Sequence, residues 1–165
     1  MENRLWYAKQ AEAFEEALPL GNGKLGAMVY GKTGTEKISL NTDTLWSGHP
    51  EAKAEGDPYD AYLRAKQAFR EDKRGEAEEI LRVDFAGLRQ QPYLPAGNLW
   101  IQIGEPNSTG YKRELDLENA IATCAFDGEK IHIESTCFVS AIDHVLVYRV
   151  NASAPHAFRV SKMHS

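Results

Sequence analysis

The stretch from Leu18 to Pro50 reads LPLGNGKLGAMVYGKTGTEKISLNTDTLWSGHP, and it determines the fold class. Its apolar run from Leu25 to Tyr30 is typical of a β-strand and follows the glycine break Gly21-Asn22-Gly23. The turn sequence KTGT then leads into Glu36 to Leu40, in which alternate apolar positions share one face. The two runs on either side of that turn predict a β-hairpin.

The same β pattern continues in the C-terminal half of the chain. Apolar and polar residues alternate from Leu99 to Ile103 and from Glu114 to Glu118, as in half-buried antiparallel strands. Asp127-Gly128 stands between two further runs, and this dipeptide predicts a two-residue type I′ hairpin. The remaining predicted strands are Arg4 to Ala8, Ala13 to Leu18, Ala120 to Phe126, Lys130 to Phe138, Val145 to Val150 and His156 to Val160. The sequence therefore predicts a mainly β fold, an antiparallel β-sandwich.

The predicted hairpin also separates the two cysteines of the chain. A two-residue turn at Asp127-Gly128 pairs Cys124 with Ile131 and Cys137 with Glu118. Six residues along a strand then separate the thiols, about 20 Å at about 3.3 Å per residue. A disulfide needs Cα atoms within about 7 Å, so both thiols are predicted to be free and Cys124 to be buried.

The hydrophobic period changes to that of a helix between residues 58 and 82. Asp57 is a good N-cap residue and Pro58 suits a first helical turn. Apolar residues then recur at helical spacing with charged residues between them. Gly75 is predicted to divide the region into two helices, which form a short insertion in a single sandwich domain spanning residues 1–165.

Charge and composition exclude several classes of partner. The chain has 165 residues and a formal net charge of −5, with no basic block to bind a phosphate backbone, so nucleic acid is not expected. No segment approaches the roughly 20 apolar residues that span a bilayer, and the N-terminus MENRLWYAKQ lacks a secretory pattern. We therefore expect a cytoplasmic protein that binds no membrane.

Several motifs in fixed order carry a family resemblance. The segment from Leu40 to Pro50 is similar to the loop LNEDTLWSGxP of glycoside hydrolase family 95, the inverting α-L-fucosidases, although Thr42 and His49 depart from its usual residues. The other matching segments are Leu5 to Tyr7, Glu16 to Gly31, Tyr93 to Leu99 and Tyr111 to Ala120. Together they resemble the N-terminal β-sandwich domain of that family over nearly the whole chain.

The resemblance implies the reaction of the intact family and the part that this domain plays in it. Inverting hydrolysis of terminal α-linked L-fucose uses a glutamate acid and a water held by asparagine and aspartate, all in an (α/α) barrel that follows the sandwich and is absent here. No catalytic residue and no cofactor are therefore assigned to this chain. We expect an incomplete sandwich from a fragment that packs on such a barrel, and fucosylated oligosaccharide as a ligand only of the full-length enzyme.

The loop before Pro50 offers the best candidates for binding. Trp46 provides an apolar face on which a sugar ring can stack, and Asn41, Asp43 and His49 provide donors and acceptors for hydroxyl groups. These four residues are predicted to lie at the rim of the substrate pocket. The alternative is structural, with Asn41 and Asp43 bonding local backbone and Trp46 packed at a domain junction.

Other patterns favour structural interpretations or a different class of protein. The sequence GNGKLG, Gly21 to Gly26, matches a dinucleotide fingerprint, but a β-like run follows it where that fingerprint needs a helix, so a hairpin entry is predicted. Histidine and cysteine spacings match no metal motif. Two further hypotheses stay open: a stand-alone carbohydrate-binding or structural module, and the N-terminal domain of a family 65 phosphorylase or hydrolase of α-glucosides.

Overall fold

The structure is a computed structural model that describes residues 3–47, 56–86, 91–103 and 107–154. The chain divides into two compact units. The first combines Met1–Leu45 with Leu94–Ser165, and the second is Trp46–Tyr93.

Antiparallel strands form two sheets in the first unit. The strands are β1 (Arg4–Tyr7), β2 (Leu18–Gly21), β3 (Leu25–Val29), β4 (Thr35–Thr42), β5 (Gly97–Gln102), β6 (Thr109–Asp116), β7 (Ile121–Asp127), β8 (His132–Val139) and β9 (Leu146–Ala152). A five-stranded sheet has the order β1-β6-β7-β8-β9, and a four-stranded sheet has the order β2-β3-β4-β5. The hairpin predicted on either side of KTGT is confirmed as β3 and β4.

The inner faces of the two sheets share one hydrophobic core. Buried side chains such as Val29 and Ile38 come from the four-stranded sheet, and Leu115, Ala122 and Cys137 come from the five-stranded sheet. Side chains alternate across a strand, so each sheet buries every second residue. The predicted mainly β fold, an antiparallel β-sandwich, is confirmed.

The segment predicted as a strand from Ala13 to Leu18 has a different structure. Phe14–Glu16 forms a 3₁₀ turn, and β2 begins only at Leu18. The Glu16 carboxylate accepts hydrogen bonds from the backbone N–H groups of Glu12 (2.7 Å) and Ala13 (3.4 Å). These bonds satisfy donors that a turn leaves open at its N-terminus, which favours the turn over an extended strand.

The predicted register of the β7–β8 hairpin is wrong. Asp127 pairs with His132 and Cys124 with Ser135, so four residues form the loop where two were predicted. Gly128 N–H donates to the Ile131 carbonyl (2.8 Å), and the Asp127 carboxylate contacts His132 Nδ1 (2.7 Å). These contacts close the longer loop. The shift is four residues, an even number, so the apolar residues of β7 still face the core.

The end of β6 also differs from the prediction. The strand stops at Asp116, whose carboxylate accepts backbone N–H bonds from Glu118 and Asn119 (3.0 Å each). Leu117, predicted within the strand, lies in this turn and is exposed. An Asx-type turn therefore overrides the apolar alternation here. The predicted strand from His156 to Val160 lies outside the described residues.

Two short helices and a π-helical segment make up most of the second unit. They are α1 (Pro58–Arg70), α2 (Arg74–Ile80) and the π-helical segment Leu81–Phe85. The predicted N-cap is confirmed, since the Asp57 carboxylate accepts the Tyr59 N–H bond at 2.9 Å. The helices do not divide at Gly75, which lies inside α2; the break is at Asp72, whose φ is 61°. In the described part of the chain, no helix has the length and apolar composition to cross a bilayer.

Candidate functional site

Asn41 and Asp43 lie at the end of β4 in the first unit. Asn41 Oδ1 accepts the backbone N–H of Thr42 at 2.9 Å. The Asp43 N–H donates to the Lys24 carbonyl at 3.0 Å, and the Asp43 side chain is exposed in the turn that follows β4. The Asn41 oxygen is thus engaged by its own backbone, while its amide nitrogen is available to a ligand.

Trp46 belongs to the second unit and pairs with Tyr93. The two residues form a β-bridge, their ring centroids are 5.1 Å apart, and Ser47 N–H donates to the Pro92 carbonyl at 2.9 Å. Trp46 keeps 48% of its surface exposed. Its ring packs against Tyr93 and keeps about half of its surface open to solvent, on which a sugar ring could stack. His49, the fourth predicted site residue, lies outside the described residues.

A cavity on the four-stranded sheet was not predicted from the sequence. It has a volume of about 430 Å³ and is lined by residues of all four strands and by Phe14. Asn41 contributes to its lining, together with Ser39 and Asn98, whose side chains bond to each other (Ser39 Oγ to Asn98 Oδ1, 2.7 Å). Ser39 and Asn41 stand at alternate positions of β4, which indicates that they share the face of the sheet turned away from the core. The sequence does not reveal that β5, which carries Asn98, lies beside them.

A buried carboxyl group inside the sandwich is the second feature that the sequence analysis missed. Glu36 is 0% exposed and shares the inward parity of Ile38. Its Oε1 accepts backbone N–H bonds from Gly31 (3.0 Å), Lys32 (3.2 Å) and Lys37 (2.9 Å). Burial raises the pKa of Glu36 to about 7, against the opposing effect of these N–H donors and of the Tyr148 hydroxyl.

The carboxyl groups of Glu16, Glu36 and Glu79 do not have the setting of a catalytic acid. The pKa of Glu36 would suit proton transfer near neutral pH, but a fully buried group cannot touch a substrate. Glu16 caps the 3₁₀ turn, and Glu79 forms an ion pair with Arg82 (2.5 Å). The sequence GNGKLG joins β2 directly to β3, which confirms the predicted hairpin entry and leaves no helix to receive a pyrophosphate.

The fold is therefore that of a β-sandwich domain, and comparison with known proteins assigns it to a family. The family model described as "Glycosyl hydrolase family 65, N-terminal domain" matches residues 5–164. The chain belongs to this family of N-terminal domains.

Curated relatives of the chain are fucosidases by name. Alpha-L-fucosidase 2 of Arabidopsis thaliana is 28% identical over 165 residues, covering 96% of this chain and 19% of that protein. Probable alpha-fucosidase A of Aspergillus niger is 34% identical over 150 residues (84% and 18%), and that of Aspergillus oryzae is 32% identical over 161 residues (92% and 22%). The chain spans about a fifth of the length of these relatives. The resemblance to the N-terminal regions of α-fucosidases is confirmed.

Proposed function

We propose that this chain serves as the non-catalytic N-terminal part of an α-L-fucosidase that hydrolyses terminal α-linked L-fucose with inversion. One observation carries the proposal: fucosidases match 84% to 96% of this chain, yet the match covers only 18% to 22% of each of them. Such a protein keeps its catalytic carboxylates in another domain. The sandwich then acts as a fragment of a larger enzyme, and fucosylated oligosaccharide is a ligand of the whole enzyme.

In this proposal the residues from Asn41 to His49, called the Trp46 segment, lie at the rim of the substrate pocket. The half-exposed ring of Trp46, supported by Tyr93, is suited to stack on a sugar, and Asn41, Asp43 and His49 supply polar groups from the same stretch of chain. The sandwich would pack on a helical barrel and present this segment to the pocket of that barrel. No cofactor is part of the proposal.

A chimeric enzyme tests both whether this chain can serve as the N-terminal part of an α-L-fucosidase and whether Trp46 contributes to the rim of the substrate pocket. This chain replaces the matched region of the Aspergillus niger relative, and hydrolysis of an aryl α-L-fucoside is compared with that of the same enzyme lacking the region. We expect the chimera to regain activity and Trp46→Ala to raise its KM. Trp100→Ala is the matched control, since Trp100 is similarly exposed (40%) but lies on β5. A chimera no more active than the deletion, or equal effects of the two variants, would contradict the proposal.

The family description favours one alternative. Because the matching model is named for family 65, the chain is also compatible with a phosphorylase or hydrolase of α-glucosides. A second chimera, in which this chain replaces the N-terminal domain of a family 65 hydrolase of α-glucosides and which is assayed with an aryl α-glucoside, separates the two parentages. Cleavage of the glucoside but not of the fucoside would favour the alternative.

We place the protein in the cytoplasm. Cys124 and Cys137 are both free thiols, which are typical of proteins kept in a reducing compartment. Fractionation of the source cells with an antibody against the sandwich tests this location. Recovery of the protein from the secreted fraction would contradict it.

A further inference from the structure

The cavity on the four-stranded sheet lies on the face that points away from the sandwich core. Pro19, Met28, Ser39 and Asn98 form one row of directly paired residues across the four strands. The neighbouring row points the other way, since its members Leu20, Ala27 and Leu40 pack in the core. Side chains of the first row therefore surround the cavity, and the backbone of the second row forms part of its floor.

The lining of the cavity carries no charge. All twelve lining residues are apolar, glycine, serine or asparagine. A charged ligand would lose its hydration here without gaining a partner of opposite charge, which is costly. The volume of about 430 Å³ lies within the range of small-molecule sites. The cavity therefore fits a small neutral ligand.

Two side-chain amides provide hydrogen-bond donors at the edge of this neutral surface. Asn98 Oδ1 accepts from the Ser39 hydroxyl and Asn41 Oδ1 accepts from the Thr42 N–H, so each amide is held through its oxygen. Within the described ranges, neither Nδ2 group has a protein acceptor. Because Asn98 pairs with Ser39, Asn41 is its diagonal neighbour on the same face, about 7 Å away. This spacing suits two oxygen atoms of one compact ligand.

An aromatic wall completes the cavity. Phe14 keeps 55% of its surface exposed and lies on the 3₁₀ turn that Glu16 caps, so the backbone that carries the ring is constrained while the ring stays accessible. Gly26 leaves open space, because a Cβ built there would meet no atom within 4 Å. A ring with one apolar face and several hydroxyl groups satisfies the aromatic wall and the amides together.

We propose that this cavity is a binding site for a neutral monosaccharide or the terminal sugar of a glycan, in which Asn41 and Asn98 donate to sugar oxygens and Phe14 packs on the ring. The site shares Asn41 with the proposed pocket rim, but Trp46 does not line it. It goes beyond the proposed enzymatic role and does not depend on it, since the purified chain alone contains all of its groups.

Titration of the isotope-labelled chain with methyl α-L-fucoside and methyl α-D-glucoside, followed by NMR, tests the proposal. We expect saturable shifts of the Asn41 and Asn98 side-chain amides and of the Gly26 amide. Dissociation constants should lie at about 1 mM or weaker, because an open cavity buries only part of a small ligand. A sugar phosphate should bind less tightly than either neutral sugar.

Two variants with matched controls locate the site. Gly26→Val fills the cavity with a side chain that strands favour, and Gly75→Ala is its control, since a Cβ at Gly75 also meets no atom within 4 Å. Phe14→Ala removes the wall, and Phe69→Ala removes a comparably exposed ring (64%, against 55% for Phe14) from α1. We expect about tenfold weaker binding for the first variant of each pair and no change for its control.

Three results would overturn the proposal. The first is the absence of a saturable shift with either sugar at tens of millimolar concentration, about tenfold or more above the expected dissociation constant. The second is a set of shifts confined to Trp46 and Tyr93. The third is tighter binding of the sugar phosphate than of the neutral sugars. Thermal unfolding of each variant confirms that it is folded. If Gly26→Val does not fold, the comparison of Phe14→Ala with Phe69→Ala decides the outcome. Failure here leaves the fucosidase proposal standing, because the chimera measures catalysis and the effect of Trp46→Ala, and this titration tests neither.

Discussion

Glu36 places a carboxyl group between the two sheets, where hydrogen bonds and burial act on its protonation in opposite directions. Three backbone N–H groups and the Tyr148 hydroxyl (3.5 Å from Oε2) favour the charged form. Burial favours the neutral form and has the larger effect. The other titratable groups that interact with Glu36 are the thiols of Cys124 and Cys137 and the Tyr111 hydroxyl, all neutral near pH 7.

The stability of the sandwich should therefore decrease as the pH rises. The pKa of Glu36 is about 7 in the folded chain and about 4.5 without burial, so the folded state binds the extra proton between these values. The free energy of unfolding should fall by about 3 kcal/mol from pH 4.5 to above pH 7 from this group alone. Glu36→Gln keeps the acceptor oxygen and removes the titration. Urea unfolding across this range measures both proteins, and an equal pH dependence in the two would contradict the account.

Arg113 connects the N-terminal segment to the five-stranded sheet. Only 3% of its surface is exposed; Nε donates to the Lys9 carbonyl (2.8 Å), Nη1 donates to the Glu16 carbonyl (2.6 Å), and the guanidinium lies over the Tyr7 ring. A lysine cannot direct two donors in this geometry.

Arg113→Lys should lower the free energy of unfolding by about 2 to 4 kcal/mol, because it removes charge-assisted hydrogen bonds to the Lys9 and Glu16 carbonyls and leaves a buried cation with fewer partners. Arg82→Lys is the control, since Arg82 forms an exposed ion pair with Glu79, and its effect should stay within about 0.5 kcal/mol. Urea denaturation compares the two. Losses of similar size would show that Arg113 does not fix the segment.

At the scale of elements, β7 and β8 place both cysteines inside the core. Ala122 faces Cys137 and Cys124 faces Ser135, so the thiols are much closer together than the predicted 20 Å, yet both are free, as predicted. Cys124 is 3% exposed, as expected of a buried thiol, and Cys137 is 1% exposed.

Both thiols should resist alkylation in the folded chain. Burial raises the pKa of each to about 12, so little thiolate forms near neutral pH, and the reagent has no access. Mass spectrometry after iodoacetamide treatment should find no label without denaturant and two labels in urea. Rapid labelling of the folded protein, or an intramolecular disulfide, would contradict the structure of this hairpin.

The sequence predicts the type of an element better than its boundaries. Alternating apolar residues locate β3, β4 and β7, because the core requires one buried face. Local structure decides the ends: the Asp116 carboxylate stops β6, and Asp127 and His132 close a four-residue loop. The helices divide at Asp72, which has a positive φ, and not at Gly75 as predicted. Each of these hydrogen bonds depends on the orientation of a polar side chain, which the pattern of apolar residues does not predict.

The candidate sites show the same limit at the scale of the whole molecule. The candidate binding residues of the Trp46 segment can be recognised from the sequence because they lie close together in the chain, between Asn41 and His49. The sheet cavity is not, because Phe14, Ser39 and Asn98 are far apart in the chain and meet only through the pairing of β4 with β5 and the turn before β2. Glu36 likewise looks like one more surface carboxylate until its strand is placed in the sandwich.

The claim that this sandwich is non-catalytic is tested most directly by assaying the purified chain with an aryl α-L-fucoside and with fucosyllactose. We expect no release of fucose above the uncatalysed rate, because Glu36 is buried away from any substrate and the family resemblance implies that the catalytic acid lies in a barrel outside the matched region. A mock preparation from host cells that do not express the chain, purified in parallel, controls for contaminating glycosidases. Hydrolysis that scales with the concentration of the chain, and that persists after such contaminants are removed, would contradict the account.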